Sequence, residues 1–302
     1  MSSGSRPGAR LLQAGRIVVC SILLSGLFSS NPGTARGLTR LGPGPGSPDP
    51  ELSSILERAA QYCDKLNRSV LNFVCRERIE EWFRHAAPPA SFSYGNRIVF
   101  LSSPEKFQYV YDYQLIRERG GSIRETRTLL KENGKDVQVS DAPLKTHSFW
   151  HTNVVMGPLG LLSRERQADH DYRILREAKI GGDPVLVIEV VPKPDVRLED
   201  LFGTVWLRKK DAGILKIEWN PSSIRNYKGV EETAKQLGLI PSLLVTSEYA
   251  FEQNGIRFPS RYTLRELYRR GKSGARYQRS ETDVVYDQYK FFMVETKVEF
   301  GK

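Results

Sequence analysis

Cysteine and histidine are scarce in this 302-residue chain, at three and four, and their scarcity removes several kinds of chemistry. His147 and His151 stand four apart, but no H-E-x-x-H accompanies them, and His85 and His170 are isolated, so no metal centre is expected. There is no G-x-S-x-G elbow, no P-loop and no dinucleotide fingerprint, which takes away the usual nucleophile and phosphate cradles. Acidic residues are plentiful, yet no pair stands out as a general acid and base. A non-enzymatic protein without a cofactor is expected. The apolar run Ile17 to Phe28 falls short of the about 20 residues that a membrane-spanning helix needs.

That run follows Arg6, Arg10 and Arg16 and precedes small residues as far as Ala35, the arrangement of a secretory signal peptide. Residues 1–35 are therefore expected to be a signal peptide, 36–50 a disordered Gly/Pro linker, and 51–302 one domain with no repeat. Cys20 sits inside the apolar run and not after it, which argues against a lipoprotein cleavage site. Cys63 and Cys75 remain, an even pair in an exported chain. A disulfide is expected between them, worth about 3 kcal/mol for so short a loop, with two free buried thiols as the alternative. The net charge of +10 draws the chain toward anionic surfaces, and export argues against nucleic acid. A 39% hydrophobic content is enough for a sizeable core.

The clearest local signal is Phe202 to Asn220, FGTVWLRKKDAGILKIEWN. Val205 and Leu207 alternate with Thr204, Trp206 and Arg208, a polar turn follows, and Leu215, Ile217 and Trp219 resume the period-two pattern. This predicts a hairpin with one apolar face, which must lie against more strands, a helix or a ligand. Ahead of it, Asp49 and Pro50 mark a helix entry, and Leu52, Ile55, Leu56, Ala59, Cys63 and Leu66 recur at helical spacing. From Val70 the period changes to two. Strands are predicted over Val70–Phe83, Phe92–Leu101, Lys106–Arg119, Ile123–Leu130, Tyr172–Lys179, Val185–Val191, Leu243–Phe251, Arg257–Arg269, Arg276–Tyr286 and Phe292–Phe300, besides the opening hairpin. Asn254-Gly255 is a hairpin turn, and Pro259 belongs at an edge or bulge. Between Leu144 and Gln167 the strand pattern fails, and Val154 to Leu162, broken by Gly157, Pro158 and Gly160, reads as short helical pieces over an apolar opening. Glu231 to Leu237 is able to form a short helix.

So many strands without intervening helices form an antiparallel meander, since parallel crossovers need helices. The expected fold class is α+β, mostly antiparallel β: a strongly curved half-open barrel wrapped around the N-terminal helix, with lid-like helical pieces.

The exported N-terminus, the helix leading into a strand, GTVWLRKKDAGILKIEW, and LLVTSEYAFEQNGIRFPSRYTLRELY followed by a terminal strand together resemble the LolA-like superfamily of lipoprotein carriers. The resemblance runs from about Glu51 to Phe300. It implies a half-barrel under a helical lid, with a cavity for acyl chains, in a bacterial periplasmic protein. On it, the expected ligand is a lipid or lipoprotein acyl chain held by a monomer. The candidate lining is Phe107, Tyr109, Tyr111, Val205, Leu207, Leu215, Ile217, Trp219, Tyr249, Phe251, Tyr262 and Leu264, each of which also reads as filled core. The alternative is an envelope interaction or sensor module with a filled core. It would bind an acidic partner or anionic membrane through the basic turn Arg269, Arg270, Lys272, Arg276 and Arg279, which otherwise is a solvated loop.

Overall fold

The computed structural model describes residues 49–69, 72–85, 103–118, 122–147, 149–194, 196, 201–224, 227–271 and 276–292, and the backbone of 17–19. The rest of the expected leader and linker, the strand expected at Phe92–Leu101, the strand expected beyond Phe292, and Lys272 lie outside the described residues.

Helix α1 (Pro50–Arg68) begins where the Asp49 carboxylate accepts the Glu51 amide at 2.9 Å, with Pro50 in the first turn, where its missing N–H costs nothing. Its buried stripe, Ile55, Ala59, Cys63 and Leu66, follows the expected spacing. The strands are β1 (Ile17–Val19), β2 (Phe73–Phe83), β3 (Glu105–Arg117), β4 (Ile123–Glu132), β5 (Lys135–Val139) and β6 (Phe149–His151). There follow β7 (His170–Ile180), β8 (Asp183–Pro192), β9 (Gly203–Arg208), β10 (Ile214–Trp219), β11 (Ile240–Glu248), β12 (Phe251–Gln253), β13 (Ile256–Phe258), β14 (Arg261–Arg269) and β15 (Arg276–Phe291). A 3-10 turn at Val154–Met156 runs into α2 (Gly157–Leu162) and α3 (Arg164–Asp169), and α4 (Tyr227–Leu237) precedes β11.

Eleven strands form one antiparallel sheet in the order β5-β4-β3-β2-β15-β14-β11-β10-β9-β8-β7, open at both ends. The order corrects the simple meander: the last strand, β15, lies between β14 and β2, so it pairs on one side with a strand far away in sequence. β12 pairs with β13 in a separate hairpin, and β1 with β6 in a short parallel ladder.

Register gives the sheet two distinct faces. Val205, Ile217, Ser247, Tyr262, Val284, Ile79 and Tyr109 form one row across β9, β10, β11, β14, β15, β2 and β3. This inner face shares a single apolar cluster with the stripe of α1 and with Val155, Met156, Leu161 and Leu162 of the segment after β6. The outer face carries paired charges such as Arg261–Asp283 at 2.6 Å and Arg265–Glu281 at 2.8 Å. It also holds a small apolar group, Val185, Val187, Trp206 and Leu215.

One glycine is dictated by sheet curvature. A Cβ on Gly203 would stand 2.1 Å from the Glu218 carbonyl oxygen, so β9 and β10 approach each other there as no larger residue allows.

Candidate ligand-binding interior

The structure brings most of the expected lining together. Tyr109, Tyr111, Val205, Leu207, Ile217, Trp219, Tyr262 and Leu264 all belong to the buried inner face, and Tyr249, just beyond β11, joins them. Phe107 is half-buried at one end, its ring stacked on that of His147 at 3.9 Å. Leu215 does not join. An irregularity between Ile214 and Lys216 shifts the register, so Ile214 faces inward and Leu215 packs outside against Trp206. Phe251 stands outside as well, exposed at one rim beside Tyr289 and Phe291.

The segment expected to lie over an opening packs into it instead. Tyr249 Oη donates to the Val154 carbonyl at 2.9 Å, and a Cβ on Gly157 would meet Tyr249 Oη at 2.9 Å and the Trp219 ring at 3.1 Å. Asn153, at the start, adopts a left-handed φ of 49°, unusual for a residue with a side chain. Between this lid and the sheet the structure leaves a void of about 10 Å³ beside His151, Trp219 and Tyr262. α3 is latched to α1 from outside: both Nη atoms of Arg164 donate to the Glu57 carboxylate at 2.8 Å, and Gln167 Nε2 donates to the Leu56 carbonyl at 2.8 Å. The Arg164 guanidinium holds the Glu57 carboxyl down to about 2.

Beside the apolar part, the inner face carries charge that the sequence reading missed. Arg127 Nε donates to Glu77 at 2.6 Å, Arg127 Nη2 donates to Glu77 at 3.1 Å and to Glu125 at 2.8 Å, and His151 Nε2 lies 2.9 Å from Glu77. Glu77 is 0% exposed and Arg127 8%. Burial by itself pushes the Glu77 carboxyl up, but Arg127 and His151 together outweigh it and hold the group below the ordinary carboxylate range. Burial likewise opposes the Arg127 charge, yet Glu77 and Glu125 raise its pKa well above the ordinary value. The Asn153 amide donates to Glu125 at 3.2 Å, which ties the start of the lid to the same cluster.

Two further acids point inward. Glu81 accepts the His147 amide at 2.7 Å and the Thr282 hydroxyl at 3.3 Å. Glu266 accepts from Tyr268 Oη, from Arg279 at 2.8 Å and from Ser280 Oγ at 3.0 Å. The missed signal was parity: Glu77 and Glu81 share the inward register of Phe73, Cys75 and Ile79 in β2.

Of the basic turn, Arg270 and Arg276 are exposed and Arg269 is half-buried opposite Arg276. Arg279 is committed to Glu266. The expected disulfide is corrected: Cys63 and Cys75 are free and buried. Cys63 Sγ lies 3.6 Å from the Pro158 carbonyl, whereas Cys75 hydrogen-bonds with Tyr289, so the two thiols serve different contacts. Burial pushes both thiols up. Among the described residues no group of three His, Cys, Asp or Glu is placed to hold a metal, and no helix is long and apolar enough to cross a membrane.

No family model matches the sequence, and no curated protein matches it. Solved structures are similar. They include the LolA superfamily protein NE2245 of Nitrosomonas europaea, 17% identical, covering 80% of this chain and 94% of that chain at a TM-score of 0.29. The chain is similar to LolA superfamily proteins. Another is a domain assigned to outer membrane lipoprotein sorting in Vibrio parahaemolyticus, at 14% identity, 81% and 93% coverage and a TM-score of 0.32. A third is from the MucA/MucB complex of Pseudomonas aeruginosa, at 12%, 80% and 99%, and 0.22.

Proposed function

We propose that the chain is a non-enzymatic, exported envelope protein whose inner face takes up a lipid or lipoprotein acyl chain when the lid swings away. The observation that supports this is the lid itself. Val155, Met156, Leu161 and Leu162 are short-range neighbours in sequence, and all four fill the hollow from a single segment. An acyl chain replacing them would recover the burial they give up, at about 0.8 kcal/mol per methylene. Tyr109, Val205, Ile217, Trp219 and Leu264 would then face the ligand.

The Glu77–Arg127–His151 cluster favours a second reading, in which the core is permanently filled and the protein is an interaction or sensor module. One experiment separates the two. The protein purified gently from the envelope fraction is extracted for mass spectrometry of bound lipids, and the delipidated protein is titrated with a fluorescent fatty acid. A stoichiometric lipid and saturable uptake are expected. Neither lipid nor uptake, in protein that remains folded, would leave only the interaction module.

A further inference from the structure

Exposed large apolar side chains are few among the described residues, and three of them belong to the edge where β12 begins and β15 ends: Phe251 at 36% exposure, Phe291 at 37% and, next in the chain, Phe292 at 51%. The first two are ordered by stacking. Phe251 lies parallel to Tyr289 at 4.8 Å and 9°, and Phe291 lies parallel to both at 6.1 Å. Beneath them Phe258 meets Phe291 edge-on at 5.0 Å and Phe73 at 5.4 Å, both of these lower rings being buried. Tyr289 Oη donates to the Pro259 carbonyl at 2.6 Å, and the Phe292 amide to the Asn72 carbonyl at 2.9 Å. The platform is therefore held in place from below while its upper edge meets water. A cluster of this kind marks an interaction surface, since scattered exposure needs no such support.

The charge on the same hairpin and on the helix packed against it points to the partner. Lys65 Nζ lies against Gly255 at the tip of the β12–β13 hairpin, whose other end carries Phe251, and Arg68 follows in the last turn of α1. Lys290 sits exposed between Tyr289 and Phe291. Of the acids nearby, Glu252 is bound to Arg208 and Arg257, and Asp64 pairs loosely with Arg68 at 3.7 Å, leaving that guanidinium side chain 81% exposed. Apolar rings rimmed by cations match the interface of a bilayer, where rings enter the acyl boundary and cations meet phosphate.

We propose that this rim docks the protein on an anionic lipid bilayer. The surface is the outer edge of the inner-face cluster, at the opposite end of β15 from the Arg269–Arg279 turn, and it serves a filled module as well as a carrier.

The test is flotation of the full chain with vesicles of phosphatidylcholine containing phosphatidylglycerol, against vesicles of phosphatidylcholine alone. Binding to the anionic vesicles is expected, weakening as salt rises. Phe251→Ser with Phe292→Ser should reduce the partition constant about tenfold or more. Lys65→Gln with Arg68→Gln should reduce it about fivefold for each charge. Arg270→Gln with Arg276→Gln should leave it unchanged. All these side chains are exposed, and circular dichroism checks that each variant is folded. Absence of wild-type binding at low salt, or full binding by the phenylalanine variant, overturns the proposal. So does loss of binding in the Arg270/Arg276 variant alone. A dimer in sedimentation velocity that the phenylalanine variant dissolves would assign the rim to a second copy and overturn it too. Because the readout is bilayer partition, failure of acyl-chain uptake leaves this result standing on its own.

Discussion

Replacing Arg127 by Met is the sharpest probe of the interior. The change keeps most of the side-chain volume but removes the one guanidinium that faces two carboxylates, Glu77 and Glu125, along with three hydrogen bonds of 2.6, 3.1 and 2.8 Å and the contact of Arg127 with the Tyr113 ring at 4.9 Å. Glu77 is left facing the His151 ring and Glu125 the Asn153 amide, with the two carboxylate side chains 0% and 11% exposed. Breaking a buried pair from one side costs about 3–5 kcal/mol, far above the effect of an exposed pair. The pH dependence follows from the same geometry. In the wild type, Glu77 sits below its ordinary value of 4.5, so its contribution is complete above that value and is lost as pH falls through the folded-state value. In the variant burial dominates and raises the carboxyl, so the penalty is present at neutral pH and disappears as the acid protonates. Urea unfolding at pH 7 and at pH 5 should therefore show a deficit of about 3–5 kcal/mol that shrinks on acidification. A loss under about 1 kcal/mol, or a deficit independent of pH, would refute the view that Arg127 is what keeps these acids ionised inside.

Three other outcomes follow from particular contacts. Gly157→Val places methyl groups against Tyr249 and Trp219, so the lid should be displaced, read as faster digestion near Asn153 by a broad-specificity protease and faster uptake of a fluorescent fatty acid. Arg164→Gln removes the latch to Glu57, and hydrogen exchange at α3 should quicken while exchange in the sheet stays as it was. Native protein should resist a thiol reagent at pH 8, and both Cys63 and Cys75 should react once it is unfolded without reductant; a disulfide recovered by mass mapping would contradict the free thiols.

Much of the sheet was legible because alternation of apolar and polar residues is a local property. VLVIEVV and GTVWLR announce their strands, and Asp49-Pro50 announces the helix. Partnership is not local, and so the insertion of β15 beside β2 could not be read from hairpin signals. Leu215 was misplaced because a pattern counted through a turn assumes an unbroken register, and the step between Ile214 and Lys216 breaks it. The cysteines were paired because they form an even pair in a chain expected to be exported, which says nothing about where each Sγ points. The buried acids were legible in principle: a charge at the inward parity of a strand demands a partner, and Glu77 finds it in Arg127, fifty residues on.

The placement of β15 sets a rule for how the molecule is assembled. Among the described residues one arm of the sheet, β2 to β5, and the other, β7 to β11 with β14, have no ladder in common until residues 276–291 arrive to knit them. Until that strand is in place the two arms are separate, incomplete ribbons, and cooperative closure of the sheet waits on a single seam.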